Sequence, residues 1–233
     1  EMAKEVIAIL RENNPDLRIA TGTNANFAQL NRNRPGDTGN DCITYSIHPQ
    51  EHASDDATLI ENLKGQEYTV RSAKNFAGKK GVVVSPVTLR KRLNPGISFI
   101  ELPWEGEGIP PQVDPRQMTL FGACWTAGSL KYLCEADVDS ITFFETAGER
   151  GVIQGEKEPE WPEFFPSVKG MIFPVFHLFR YVLMHNDFNI LRSTSSAPLC
   201  ADCFSLASDG ETRLVLFNYT DSEINVKIEG LTG

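Results

Sequence analysis

Short apolar runs that each end in polar residues recur along the first 185 residues and alternate with helix-like segments. No other property of the chain limits its fold as strongly. Gly81-Val-Val-Val-Ser85 and Ser140-Ile-Thr-Phe-Phe144 are continuously apolar, as expected of strands covered on both faces in a parallel sheet. Cys42–Ile47 reads as another strand, and Leu17–Thr21 as one that opens into Gly22-Thr-Asn-Ala-Asn26. Helical spacing appears at Ala3–Arg11, where Val6, Ile7 and Leu10 recur before Asn13-Asn14-Pro15. Asp55-Asp56 caps a helix over Ala57–Leu63, and Asp114-Pro115 starts a helix over Arg116–Cys134. A further apolar helix is expected over Phe173–Met184. Parallel strands joined by helices imply right-handed crossovers.

Polar residues gathered at the C-terminal ends of parallel strands are the arrangement of a TIM barrel, whose active site is built there. We therefore expect an α/β chain carrying half of a (β/α)8 barrel over residues 1–187. Half a barrel leaves two sheet edges open, and an open doubly wound sheet is the competing architecture. The lack of a glycine-rich phosphate loop after any strand counts against it. A long loop rich in Pro and Gly spans Asn94–Pro111. From Phe188 the texture changes: Arg213–Asn218 and Glu223–Ile228 alternate, separated by Ser-Asp-Gly and Thr-Asp-Ser turns. They are expected to be antiparallel strands opening a β-sandwich-like domain over residues 188–233.

Net charge −9 and a pI near 5.0 argue against a nucleic-acid backbone or an anionic membrane as partner. No apolar run approaches the roughly 20 residues that cross a bilayer. Glu149, Glu156, Glu158, Glu160 and Glu163 share one loop-like stretch, expected to be a solvated surface. The chain opens on Glu1 inside a helix rather than on Met, so residues ahead of it are expected. Of five cysteines, Cys42, Cys124 and Cys134 sit in apolar surroundings and read as buried thiols. Cys200 and Cys203 form a lone CxxC without a second pair, expected to be structural. A reducing cytoplasm fits this set, and no cofactor or metal is called for.

The densest chemistry lies in His48-Pro-Gln-Glu-His52, which places two of the four histidines beside a carboxylate. The spacing matches H-x-x-E-H, but that zinc motif needs both histidines on one helical face. Here a strand runs into His48, and Pro49 disfavours helical geometry for the residue before it. We expect instead a loop at the barrel mouth, with His48 at the strand tip and Glu51 or His52 facing the pocket; hydrogen-bonded loop residues without catalytic duty are the alternative. Glu145 ends an apolar strand, where burial would raise its proton affinity; an Arg partner or a backbone amide is the alternative. Asn24 and Asn26 offer neutral amide donors at the end of the first strand, with turn formation the alternative. Ser85, Thr88 and Arg90 stand at or after the Val82–Val84 strand; Arg90 could bind a carboxylate, with a surface arginine the default reading. Trp125, Tyr132 and His177 sit at helical spacing and are expected in the core.

The segments TGTNANFAQLNR (21–32), ITYSIHPQEHASDD (43–56), VVVSPVTLRKR (82–92), TLFGACWTAGSLKYL (119–133) and ITFFETAGERGV (141–152) together resemble the D-apionate lactonase family. The resemblance implies a TIM barrel related to the clan A glycoside hydrolases, followed by a β-sandwich-like domain. It further implies hydrolysis of the five-membered sugar lactone D-apionolactone to the open acid during apiose catabolism. The chain would then carry barrel strands five to eight, with Phe173–Met184 the last barrel helix. In clan relatives the glycosidase nucleophile ends the seventh strand. The corresponding Val82-Val-Val-Ser85-Pro86 has no carboxylate at its tip, which favours lactone hydrolysis by water over glycoside cleavage. Lactone opening needs a base, oxyanion donors and an acid. Acid or base duty is expected of Glu145 and of one among His48, Glu51 and His52, with Asn24, Asn26, Ser85, Thr88 and Arg90 binding substrate. A glycoside hydrolase and a non-catalytic carbohydrate-binding protein are the competing functions.

Overall fold

A computed structural model describes residues 2–92 and 106–230. Helix α1 (Met2–Asn13) precedes strand β1 (Ala20–Asn26), helix α2 (Phe27–Arg32) and strand β2 (Cys42–Ile47). Helices α3 (Asp56–Glu61) and α4 (Leu63–Ala77) lead to β3 (Gly81–Val87). A 3-10 turn (Pro115–Met118) and helix α5 (Leu120–Glu135) lead to β4 (Ser140–Phe143), and α6 (Pro174–Leu183) follows. Most of the Asn94–Pro111 loop lies outside the described residues.

The four strands form one parallel sheet in the order β1-β2-β3-β4. A doubly wound sheet reverses its strand order at a switch point; this one never does, so consecutive strands are always neighbours. That is the winding of a (β/α)8 barrel, seen here over four strands. Register rows show the two faces. Gly22, Thr44, Val83 and Ser140 form one row, and none of them is fully buried. Tyr45, Val84 and Ile141 form a row of the other face, where Tyr45 and Val84 are buried against the helices. A Cβ on Gly22 would lie 1.8 Å from the carbonyl oxygen of Thr44, so only glycine lets β1 approach β2 there.

The core runs from these strands through α4 and α5 into a three-stranded antiparallel sheet, β5 (Asn189–Leu191), β6 (Ala201–Ser208) and β7 (Glu211–Asn218). Phe204, Leu206, Phe217 and Tyr219 belong to the same buried cluster as Trp125, Leu130 and Leu133 of α5. Polar groups are satisfied at the seam: Lys131 Nζ contacts Glu135 Oε1 at 3.0 Å and Asp202 Oδ1 at 3.3 Å, and Tyr132 donates to Asp202 Oδ2 at 2.8 Å. Trp125 and Tyr132 are core residues as expected, whereas His177 is exposed on α6.

Several boundaries differ from expectation for local reasons. β1 starts at Ala20, not Leu17, because the Asp41 carboxylate takes the Ile19 N–H at 2.8 Å. It then continues through the polar Thr23-Asn24-Ala25-Asn26, where the register shifts and Asn26 pairs with Ser46 of β2. The helix expected over Arg116–Cys134 is broken: Asp114 caps the 3-10 turn, Thr119 is extended, and its hydroxyl caps α5 at the Gly122 N–H. The helix behind Asp55 continues past a joint at Asn62 into α4. Glu223–Ile228 forms no strand; Asn218, Thr220 and Ser222 close a local turn and the segment after it has no ladder. Cys42 and Cys124 are buried, Cys134 and Cys203 half-buried, Cys200 exposed, and all five are free. Glu156, Glu158, Glu160 and Glu163 are exposed as expected of a solvated loop, whereas Glu149 is half-buried and accepts from the Glu160 N–H at 3.1 Å.

Candidate active site

Parallel pairing in sequence order brings the strand tips to one rim. Asn26 pairs with Ser46, Ile47 with Val87, and Val87 with Phe143, so His48, Thr88 and Glu145 emerge side by side with Asn26. The β1 tip is irregular, and Ser46 absorbs the irregularity: its hydroxyl serves the carbonyls of Asn24 at 2.7 Å and Ala25 at 2.9 Å. This leaves the Asn24 side chain exposed and lets Asn26 cap α2 by accepting from the Gln29 N–H.

Asn26, His48 and Glu51 meet. Asn26 Nδ2 donates to Glu51 Oε1 at 2.7 Å, and His48 Nε2 lies 3.4 Å from that oxygen. Lys91, on the loop after β3, approaches the other oxygen at 3.5 Å. The His48 side chain is 5% exposed and its Nδ1 is buried without a partner. An N–H at Nδ1 would waste a donor and turn a lone pair toward Glu51, so the proton belongs on Nε2. Burial holds His48 below the usual histidine range, opposed by Glu51 and reinforced by Lys91. For Glu51 burial acts upward, but the Asn26 hydrogen bond, the adjacent His48 ring and the charge of Lys91 outweigh it and hold the carboxyl below its ordinary range. The rim therefore presents an ionised carboxylate beside a neutral imidazole. His52 is exposed and joins neither. His48 and His52 share no helix, and among the described residues no three His, Cys, Asp or Glu side chains converge as a metal site.

Glu145 sits beyond the positive-φ residue Phe144 and is 37% exposed on its side chain. Its Oε1 is ion-paired with Arg92 and lies 3.2 Å from Arg150 Nε, while its N–H donates to the Arg150 carbonyl at 3.0 Å. Two guanidiniums thus surround it, where apolar walls were one expectation. Beside it a cleft is lined by Thr88, Arg90, Gln112, Asp114, Glu149 and Arg150. Thr88 is buried with its hydroxyl on the Arg90 carbonyl at 2.6 Å, so it braces the loop. Arg90 Nε lies 3.2 Å from Asp114, and Ser85 is half-buried on the sheet face of Val83. Lys91, Arg92 and Arg150 were not singled out in the sequence. The first two carry the one available signal, the basic run Arg90-Lys91-Arg92 immediately after a strand tip.

Fold and rim define a class: a barrel segment with carboxylate, imidazole, amide and guanidinium groups on its C-terminal edge, which suits acid–base work on a polar small molecule. The family model described as "D-apionate lactonase, TIM barrel domain" matches residues 1–187, and the chain belongs to this family. A similar curated protein is the D-apionate lactonase of Brucella anthropi, 29% identical over 158 residues. That match covers 67% of this chain and 26% of the relative, so the chain spans about a quarter of the relative's length. Among the described residues no helix is long and apolar enough to cross a membrane.

Proposed function

We propose that residues 1–187 form part of the catalytic barrel of a lactonase that opens D-apionolactone to D-apionate, with residues 188–233 beginning a β domain that packs on α5. The observation that carries this reading is the ionised Glu51, held at the rim by Asn26, His48 and Lys91 in a chain of this family. Glu51 takes a proton from water as the water oxygen bonds to the lactone carbonyl carbon. The carbonyl electrons become an oxyanion, which needs positive or N–H partners. Arg92 and Arg150, tied together by Glu145, supply positive charge on the same rim. Collapse of the oxyanion breaks the ring C–O bond, and the departing alkoxide receives the proton from Glu51. The product is a hydroxy acid whose carboxylate suits the arginine side of the cleft, Arg90 included. Asn24, Asn26 and Ser85 orient the sugar hydroxyls in this reading.

Glycoside cleavage fits less well. β3 runs to Val87 and is followed by Thr88-Leu89-Arg90, so its tip carries no carboxylate nucleophile. Incubation with D-apionolactone, followed by acid release, and with aryl glycosides, followed by aglycone release, tests the proposal. Acid release alone is expected; aglycone release, or silence with both, overturns it.

A further inference from the structure

The loop that carries His48 and Glu51 has no secondary structure of its own, yet its middle residue is gripped from three sides. Gln50 Nε2 donates to the Leu89 carbonyl at 2.7 Å and to Asp114 Oδ2 at 2.6 Å, and its Oε1 accepts from Arg116 Nη2 at 3.1 Å. Asp114 is a carboxylate with 2% side-chain exposure that also takes the N–H and Nε–H of Arg116 at 3.0 and 2.9 Å. Arg116 reaches farther along the same loop, to the Ser54 carbonyl at 2.9 Å and Asp56 Oδ1 at 2.7 Å. A buried carboxylate costs several kcal/mol unless it is paired and hydrogen-bonded. Arg90 and Arg116 pair with the Asp114 carboxylate, and Gln50 and Arg116 together tie the 50–56 loop to that pair.

We infer that Gln50, held by Asp114 and Arg116, is a positioning residue that fixes the Glu51 carboxylate against its partners on the other elements. Gln50 touches no reacting atom; Glu51 is the next residue, and its partners come from β1 (Asn26) and from the loop after β3 (Lys91) as well as from His48. These are also the charged and titratable groups that face Glu51. The Leu89 carbonyl contact ties Gln50 to that second loop, two residues before Lys91, so one carboxamide sets the spacing between Glu51 and its lysine. The inference deepens the lactonase reading and rests on it for its catalytic consequence, but the geometry it asserts can be measured without substrate.

The test is an NMR titration of the Glu51 carboxyl in the protein and in its Gln50→Ala variant, with Gln50→Met replacing it should the alanine variant fail to fold. Release of the loop loosens the contacts that keep Glu51 ionised, so its midpoint is expected to rise by about half a pH unit or more toward the ordinary glutamate value. In parallel, kcat for lactone opening is expected to fall roughly tenfold with KM changed less than about threefold, as for lost alignment. A Glu51 midpoint that does not move overturns the inference. Absence of acid release by the parent protein, whatever Glu51 does on titration, would instead count against the lactonase reading.

Discussion

Asn26 Nδ2 donates to Glu51 Oε1 across 2.7 Å, joining the tip of β1 to the loop after β2. The same side chain turns its oxygen to the Gln29 N–H and caps α2. One amide thus serves fold and site with its two ends, and substitutions can separate them. Asn26→Asp keeps a capping oxygen but sets a second carboxylate beside Glu51. Its melting temperature should stay close to that of the parent, while kcat/KM for lactone opening falls about tenfold. Asn26→Ala should lose both functions, including about 1 kcal/mol of stability. Calorimetry and initial rates on the two variants check the split.

Acidity should act through Glu51 and His48 in the same direction. Both are held below their ordinary ranges, so both favour the folded rim in their deprotonated forms. The contribution is present above the unfolded values, roughly 6.5 for His and 4.3 for Glu, and is lost as pH falls through the folded ones. Activity should accordingly hold from neutrality down into the weakly acidic range and fall once Glu51 protonates. Lys91→Ala, which removes one cause of the lowered Glu51 value, should move that acid limb to higher pH. A pH profile of kcat/KM for the parent and Lys91→Ala measures it.

The rim was legible in the sequence where its cause was local, and not elsewhere. Val82, Val83 and Val84, and the run Cys42–Ile47, announce buried strands by composition, and strand-end position then placed His48 and Glu145 on one edge. β1 was misplaced because its polar Thr-Asn-Ala-Asn stretch is held by the β2 ladder and by Ser46, neither of which leaves a mark on β1 itself. The break at Thr119 comes from a hydroxyl competing for a backbone N–H, a choice decided within one turn. The surroundings of Glu145 depend on Arg92, 53 residues earlier, so an apolar strand was no guide to them. Gln50 was passed over for the same reason: Asp114, which holds it, lies 64 residues away.

Packing of the antiparallel sheet on α5 depends on a hole at Gly128, where a Cβ would lie 2.2 Å from the Tyr219 hydroxyl and 2.8 Å from a Leu63 methyl. Gly128→Ala should cost about 1–3 kcal/mol by overpacking. At about 2–4 °C per kcal/mol for a chain of this size, calorimetry should show a clear drop in Tm. Gly65, on α4, has open space around its Cβ position, and Gly65→Ala should leave Tm unchanged or raise it slightly.

Lys131 is 2% exposed on its side chain and stands between Glu135 and Asp202, which are 4% and 1% exposed. Lys131→Met keeps the volume and strands two buried carboxylates, for an expected loss of about 3–5 kcal/mol. Denaturant unfolding should report that loss at neutral pH.

The account turns on Glu51 as the group that takes the proton from water, and Glu51→Gln tests it most directly. Gln keeps the size and an acceptor oxygen for Asn26 but cannot take the proton. Acid release from D-apionolactone should fall about a hundredfold or more in kcat, with KM within about threefold of the parent. Glu145→Gln and His48→Asn, measured alongside, should each lose at least about tenfold in kcat/KM. A Glu51→Gln variant that opens the lactone at the parent rate would contradict the central claim.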